Sequence, residues 1–229
     1  MTATPSLSIV IPVLNEAANM VAALDALAPL RARGAEVIVV DGGSADETAT
    51  LAKPLADFVI ASARGRATQI NAGAAIARGN VLLFLHADTR LPADADRLIR
   101  EGLAQSGRAW GRFDVAIEGR HPLLPVIAAF MNARSRLTGI ATGDQAMFVT
   151  RDAFMAAGGF PAIALMEDIE LSRRLKRISP PLCLRARATT SGRRWERRGV
   201  VRTVLLMWRL RLAHFFGASP ESLARRYNA

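Results

Sequence analysis

Continuous apolar runs alternate with helix-like segments along the first half of the chain. The runs contain almost no polar positions, which is typical of strands that are buried on both faces of a sheet. The segments between them carry apolar residues every three or four positions, which predicts helices packed against that sheet. The predicted strands span residues 8–14, 36–40, 57–60 and 81–85, and the predicted helices span 17–30, 46–52, 66–77 and 92–105.

This alternation predicts an α/β fold with a mainly parallel central sheet covered by helices on both faces. After Gly107 the rhythm changes to a strand over 110–117, a helix over 123–137, a strand over 146–150 and a helix over 166–177. No Pro- or Ser-rich linker separates the two halves. We therefore predict one domain over residues 1–229, in which the second half continues the same sheet.

Composition narrows the class of protein. Hydrophobic residues make up 51% and aromatic residues 6% of the chain, which predicts an ordered domain with an aliphatic core. The single cysteine, Cys183, excludes an intramolecular disulfide, and we expect it to be a small buried thiol. No strongly apolar signal segment precedes the first strand, so we expect the protein in the cytoplasm.

The charge distribution points to anionic partners. The formal net charge is +10, and arginines crowd the last third of the chain. Such a field attracts anions of many kinds. Aromatic residues are few and no zinc-finger, RNP or helix-turn-helix pattern is evident, so we expect no nucleic-acid binding. Residues 200–216 are amphipathic and too polar to span a bilayer, but they are suited to an anionic membrane surface.

Carboxylates follow several apolar segments directly. Asp41 follows the run over 36–40, Asp88 follows the run over 81–85, and Glu167 and Asp168 form an adjacent pair. Open α/β sheets bind ligands at the carboxyl ends of their strands. The pattern therefore predicts a metal or phosphate site at that edge of the sheet.

Over residues 8–195 the chain resembles the family 2 glycosyltransferases of the GT-A fold. The matching segments are Val-Ile-Pro12-Val-Leu-Asn15-Glu16, Val-Val-Asp41-Gly-Gly-Ser-Ala-Asp-Glu-Thr48, Gly65-Arg66-Ala-Thr-Gln-Ile-Asn71-Ala-Gly73, His86-Ala87-Asp88 and Glu167-Asp168. More narrowly, Gly143-Asp144-Gln145 and Ser191-Gly-Arg193-Arg194-Trp195-Glu196 are similar to the radical-SAM/selenodomain-associated transferases 2. The Gln-x-x-Arg-Trp element of processive relatives lacks its glutamine here, so the resemblance does not imply processivity.

The resemblance implies an inverting, metal-dependent transferase that takes a sugar from a nucleotide-diphosphate donor to a sugar or lipid-linked acceptor. Asp168 would be the general base, with Glu167 orienting the acceptor or tuning the base. Asp88 would hold Mg²⁺ or Mn²⁺, His86 stands where the family has an acid, and His214 is a further candidate ligand. The nucleotide-sugar contacts would be Pro12, Asn15, Glu16, Asp41, Arg66, Asn71, His86, Ala87, Asp88, Arg193 and Arg194, and the acceptor contacts Gly143, Asp144, Gln145 and Trp195.

Residues 7–106 would then form the nucleotide-sugar half, 107–198 the acceptor side and 199–229 a basic amphipathic helical segment. We expect the protein to work in the cytoplasm, at the inner face of the membrane. The departure at His86 keeps open a nucleotide-sugar-binding protein with impaired catalysis. A nucleotidyltransferase is less well supported, because its glycine-rich signature is missing near the first strand.

Each of these residues also has a structural explanation. Asp41 could stabilise a turn, Arg66 could lie on the surface at a helix start, and His86 could hydrogen-bond ribose or backbone. The Glu167-Asp168 pair could simply form an acidic first turn that stabilises a helix. A histidine on an apolar helix such as His214 is commonly packed in place.

Overall fold

A computed structural model of the chain describes residues 6–228, without the side chains of Arg194 and Asn228. The elements of the first half are β1 (Leu7–Val13), α1 (Ala17–Asp25), α2 (Ala28–Ala32), β2 (Glu36–Asp41), α3 (Thr48–Ala52), β3 (Phe58–Ala61), α4 (Arg66–Ile76), β4 (Val81–Phe84), β5 (Thr89–Arg90) and α5 (Ala95–Ser106). Those of the second half are β6 (Trp110–Glu118), α6 (Leu124–Thr138), a 3-10 turn (Gly143–Gln145), β7 (Phe148–Thr150), α7 (Arg151–Ala156), α8 (Glu167–Leu175), β8 (Leu182–Ser191), α9 (Arg193–Arg198), α10 (Val200–Phe215) and α11 (Pro220–Asn228).

Within residues 6–228 the strands form one sheet in the order β3-β2-β1-β4-β7-β6-β8-β5. The first four strands in this order are mutually parallel, as predicted. The short β7 runs antiparallel to both β4 and β6, and β8 then pairs parallel to β6 and antiparallel to β5. The carboxyl ends of β1, β2 and β4 therefore meet at one edge of the sheet, where the predicted carboxylates follow.

The apolar runs are buried on both faces because helices cover both. On one face Ile9, Val39 and Leu83 pack in a cluster that includes residues of α1 and α5. On the other face the alternate positions Val10 and Ile38 pack with residues of α4, α7 and α8. Side chains alternate across a strand, so a strand covered on both sides must be apolar at every position.

Helix α4 lies close to the ends of β1 and β2. A Cβ atom on Gly73 would stand 2.5 Å from Val10 Cγ1, so only glycine lets the helix approach this closely. One turn earlier, the buried Gln69 donates through Nε2 to the carbonyl oxygens of Val13 at 2.8 Å and Val40 at 2.9 Å. This amide joins the two strand ends from which the loops of the site begin.

The structure corrects several expectations. The helix predicted to run to residue 30 is broken after Asp25 into α1 and α2. Helix α5 begins at Ala95 rather than Pro92, because β5 keeps the chain extended and Pro92 only accepts a turn hydrogen bond from Ala95. Cys183 is half-buried rather than buried, because it lies on β8 near the edge of the sheet. Strands β5 and β8 and helix α7 were not predicted.

The C-terminal helices cover the start of α8. Met166 and Ile169 form a buried cluster with Leu210 of α10 and Leu223 of α11. The basic segment is thus part of the folded body near the predicted acid pair. Among the described residues, none of the helices combines the length and the hydropathy that crossing a bilayer requires.

Candidate active site

A cleft opens at the carboxyl edge of the sheet, where β1 and β4 end. The 3-10 turn and the start of α8 close its other side. The residues that line it are Pro12, Arg66, Ile70, Phe84, Leu85, His86, Gly143, Met147, Phe160, Glu167 and Asp168. The structure therefore brings both members of the predicted acid pair into one cleft with Pro12, Arg66, His86 and Gly143.

The half-buried Asp168 carboxylate is held by backbone N–H groups. Its Oδ2 accepts from Gly143 N at 3.0 Å, and its Oδ1 accepts from Ile169 N at 2.7 Å. An ionised carboxylate has about four acceptor positions, so each oxygen keeps capacity for a further donor. Asp168 is thus fixed in orientation and still able to accept a proton from a bound hydroxyl.

Glu167 is almost completely buried, with 4% of its surface exposed. Burial and the neighbouring charge of Asp168 raise the pKa of the Glu167 carboxyl above its ordinary value. Electrostatic interactions with Arg66 and His86 act on this pKa in the opposite direction, and Arg66 Nη1 lies 3.4 Å from Glu167 Oε1. The Arg66 guanidinium therefore reaches into the cleft and lies close to the Glu167 carboxyl, rather than pointing away from the cleft into solvent.

His86 supports the 3-10 turn. Its Nδ1 lies 3.4 Å from Asp144 Oδ1, and a Cβ atom on Gly143 would stand only 2.5 Å from His86 Nε2. The ring therefore rests directly on the backbone of Gly143, whose N–H holds Asp168. Through these contacts His86 supports the backbone that holds the Asp168 carboxylate.

Asp88 lies two residues beyond His86 and is exposed. Within residues 6–228 its carboxylate makes no hydrogen bond or ion pair, while its carbonyl oxygen accepts from Ser191 N at 3.2 Å. The described residues contain no cluster of three or more His, Cys, Asp or Glu side chains that could hold a metal ion. An open carboxylate nevertheless suits Mg²⁺ or Mn²⁺ that takes its other ligands from substrate phosphates and water.

The predicted nucleotide residues at the ends of β1 and β2 join two loops. Asp41 accepts from Ser44 N at 3.1 Å and from the Ser44 hydroxyl, which in turn accepts from Asn15 N at 2.9 Å. Asn15 Oδ1 accepts from Ala45 N at 2.8 Å, and Glu16 Oε2 accepts from the side-chain amide of Asn19 at 2.7 Å. Asp41 thus stabilises a turn, which is the structural explanation given for it in the sequence analysis. It does not line the cleft.

Two of the residues predicted to contact substrate are engaged in internal hydrogen bonds. Gln145 is fully buried, its Oε1 accepts from Thr142 N and its Nε2 donates to Asn132. Asn71 exchanges two hydrogen bonds with the backbone of Phe160, at 2.8 and 3.0 Å. Its amide is thereby committed to holding the loop that places Phe160 in the cleft.

The described residues of the motif at the end of β8 do not line the cleft, although Ser191 of the motif is joined to Asp88 by its backbone N–H group. Arg193 is exposed and donates to Ser191 Oγ at 3.1 Å. Trp195 is half-buried and packs against the apolar cluster that includes Leu124 and Ala128 of α6. The side chain of Arg194 lies outside the described residues.

The structure adds residues that the sequence analysis did not single out. Arg134 of α6 and Arg211 of α10 are largely buried, and both interact electrostatically with Asp168. His214 lies one turn after Arg211, and the charged groups that act on it are Arg173, Glu170 and Asp168. The local sequence does not indicate that Arg134 and Arg211 lie near the cleft. They are on separate helices, and in each helix the arginine fits the pattern of a surface residue.

Comparison with known proteins establishes the family. Residues 8–157 match the family model described as glycosyl transferase family 2. The chain belongs to this family. The more specific subgroup resemblance stays a prediction.

A curated relative is a PGL/p-HBAD biosynthesis glycosyltransferase of Mycobacterium tuberculosis. It is 40% identical over 105 residues, which cover 43% of this chain and 41% of the relative. A protein of the same name from Mycobacterium bovis matches equally. The chain thus spans about two fifths of the length of the curated relatives it matches.

Solved structures show the fold. The mannosyltransferase PcManGT of Pyrobaculum calidifontis, in complex with GDP-Man and Mn²⁺, superposes with a TM-score of 0.65 at 21% identity over 93% of this chain and 62% of that one. TarS of S. aureus, residues 1–349 with UDP-GlcNAc, gives 0.64 at 14% identity over 81% of this chain and 58% of that one. The predicted GT-A fold is confirmed.

Replacing Glu167 by glutamine should stabilise the protein increasingly as the pH rises. The raised pKa means that the unfolded carboxyl ionises at lower pH than the folded one, so the wild type loses stability as pH rises through the interval between the two values. Each pKa unit corresponds to about 1.4 kcal/mol, or roughly 3–6 °C in Tm for a domain of this size. Thermal unfolding of both proteins between about pH 4 and pH 8 measures the difference.

The matched variant Glu170→Gln removes a half-exposed carboxylate from the same helix and should show no such trend. A Glu167→Gln advantage that shrinks with rising pH would contradict the effect assigned to burial.

Proposed function

We propose that the protein is an inverting glycosyltransferase that moves a sugar from a nucleotide diphosphate to a hydroxyl of an acceptor. The observation that carries this proposal is the Asp168 carboxylate in the cleft, fixed by two backbone N–H groups and retaining acceptor capacity. Family membership supports the reaction class, and the solved relatives were determined with sugar nucleotides.

In an inverting transfer the acceptor oxygen bonds to the anomeric carbon while the bond from that carbon to the diphosphate breaks on the opposite face. The acceptor proton must therefore leave on the acceptor side, where Asp168 takes it as general base. The buried Glu167 lies beside Asp168, and the Gly143 N–H group keeps the Asp168 carboxylate oriented. The contacts of His86 with Gly143 and Asp144 maintain that orientation.

The donor would lie over the ends of β1, β2 and β4. Pro12 and Arg66 line the cleft there, and the loops joined by Asn15, Glu16 and Asp41 form its rim. Arg66 lies where its charge can neutralise a phosphate. A divalent cation held by Asp88 would supply Lewis-acid stabilisation of the leaving diphosphate.

The acceptor is proposed to be lipid-linked, because α10 presents an apolar stripe to solvent. The exposed residues recur at the spacing of one helix face, and basic residues flank them. The stripe consists of Val201, Leu205, Trp208, Leu212 and Phe215, with Arg202 and Arg209 beside it. Such a face suits peripheral binding to an anionic membrane at the cytoplasmic side.

Asp168→Asn should lower kcat/KM for sugar transfer by about 10²- to 10⁴-fold, because loss of a general base removes a contribution of that size. Binding of the nucleotide sugar should be retained, since the amide keeps the shape of the side chain. Initial rates and donor titrations on a panel of nucleotide sugars measure both. The control is Asp152→Asn, an exposed carboxylate on α7. Unchanged turnover in Asp168→Asn would exclude this residue as the base.

Asp88→Asn should abolish metal-dependent donor binding. A ligand that binds only the folded state stabilises it by RT ln(1 + c/Kd), where c is the ligand concentration, so Tm rises with the logarithm of that concentration once it exceeds Kd. We expect UDP- or GDP-sugars to stabilise the wild type more with Mn²⁺ or Mg²⁺ than with chelator, and expect this increment to vanish in Asp88→Asn. Asp152→Asn again serves as control. An increment that survives in Asp88→Asn would assign the metal elsewhere.

The protein should sediment with anionic liposomes at low salt and less with neutral ones. Trp208→Ser combined with Phe215→Ser should weaken this binding, because each removes a large apolar group from the stripe. Met155→Ser, which removes an equally exposed apolar side chain from α7, is the matched control. Absence of binding at low salt would remove the membrane from the proposal.

A further inference from the structure

Two largely buried arginines near Asp168 have no ion-pair partner among the described residues. Arg134 comes from α6 and Arg211 from α10, and the charge of Arg211 acts on Arg134. The Nη2 atom of Arg134 and the Nε atom of Arg211 are closed off from solvent and have no hydrogen-bond partner within residues 6–228. Buried donors in folded proteins are nearly always paired, so these atoms require an explanation.

The energetics of the pair point to a missing anion. Burial, together with the charge of Arg211, lowers the pKa of Arg134 to about 10, so the guanidinium remains charged at neutral pH. Two like charges taken out of water without an opposite charge are unfavourable. The third arginine nearby, Arg112, already binds Asp114 and leaves no carboxylate over for the pair.

The nearest carboxylates do not neutralise the arginines. Asp168 attracts both, and Asp144 also attracts Arg211, but neither guanidinium lies within ion-pair distance of them among the described residues. The Asp168 oxygens instead accept from the backbone N–H groups of Gly143 and Ile169. Both arginines therefore interact with the proposed base while Arg134 Nη2 and Arg211 Nε stay unpaired among the described residues.

The part of the sheet on which α6 packs is far from the loops proposed to bind the nucleotide sugar. Helix α6, which carries Arg134, packs on β6 through Leu124 and Ala128. In the sheet order β6 is four strands away from β2, where the nucleotide loops lie, which is roughly 19 Å at the usual strand spacing. An anion between Arg134 and Arg211 is thus on the acceptor side of Asp168.

We propose that Arg134 and Arg211 form a subsite for a phosphate ester of the acceptor, an inference that rests on the glycosyltransferase function proposed above. Guanidinium groups present several N–H donors in a geometry that matches phosphate oxygens. His214, one turn after Arg211, adds a third buried nitrogen without a partner, its Nε2. The subsite would hold the acceptor next to the base.

Arg211 also borders the apolar stripe of α10. It lies one turn after Trp208 and one turn before Phe215, so the phosphate of a molecule with an apolar chain could reach the pair while its chain follows the stripe. A soluble sugar phosphate would offer the same anionic group. The phosphate is the shared chemistry, and the probes below distinguish the two sources.

The test measures binding without turnover. Thermal unfolding of the wild type is followed with inorganic phosphate, hexyl phosphate and a hexose phosphate, and separately with a nucleotide sugar and Mn²⁺. We expect the phosphate probes to stabilise the wild type and expect Arg134→Gln and Arg211→Gln to bind them about 10- to 100-fold more weakly, with nucleotide-sugar binding unchanged. Stronger binding of hexyl phosphate identifies a lipid source, and stronger binding of the hexose phosphate a soluble one.

Arg225→Gln, which removes an exposed arginine on the neighbouring helix α11, is the control and should bind the probes as the wild type does. Without ligand, Arg134→Gln and Arg211→Gln should be at least as stable as the wild type, because each removes one of two uncompensated buried charges. Lower stability without ligand, or no phosphate binding in the wild type, would overturn the subsite. Loss of nucleotide-sugar binding in these variants would assign the arginines to the donor. Phosphate binding by a protein that transfers no sugar would instead count against the proposed function alone.

Discussion

The burial of Glu167 beside Asp168 is the electrostatic constraint on which the arrangement of the surrounding residues depends. Two adjacent carboxylates at the start of α8 repel each other, and one of them is almost out of reach of water. The positive end of the α8 dipole offsets part of this cost, and Arg66 and His86 offset more. Arg134 of α6 and Arg211 of α10 also interact electrostatically with Asp168, but neither forms an ion pair with it among the described residues. The acid pair is therefore stabilised from the side of Arg66 and the helix dipole, and the two arginines are left without a full counter-charge.

Backbone strain is concentrated at the same place. The non-glycine residues with positive φ among the described residues are Asn15, Ala146 and Met166, and each lies in a loop next to the cleft. Such conformations persist only where neighbouring contacts fix them. Asn15 is fixed by hydrogen bonds to Ser44 and Ala45, and Met166 by packing against α10 and α11. The C-terminal helices thus help to set the geometry of the acid pair, beyond any contact they make with a membrane.

The sequence predicts the parts of the fold whose signal is local. The apolar runs of β1, β2 and β4 can only be strands covered on both faces, and the carboxylates after them mark the edge that carries the cleft. Strand β8 was missed because Arg185 and Arg187 interrupt its apolar pattern, and β5 because it consists of Thr89 and Arg90 alone. The roles of Gln145 and Asn71 depend on partners distant in sequence, since only the folded chain brings Asn132 and Phe160 to them. The position of Arg134 and Arg211 near Asp168 could not be predicted for the same reason.

The short strand β7 links the two halves of the sheet in a way that affects how the protein folds. The open edge of β4 pairs with residues 148–150, which the ribosome adds only after β5, α5, β6 and α6. Closing this loop costs chain entropy before any contact compensates for it, as it does for the pairing of β5 with β8. The proposed base follows β7 in the chain and rests on the turn just before it. A nascent chain would therefore expose an unpaired β4 edge, and an incomplete cleft, until residues 148–150 have been added.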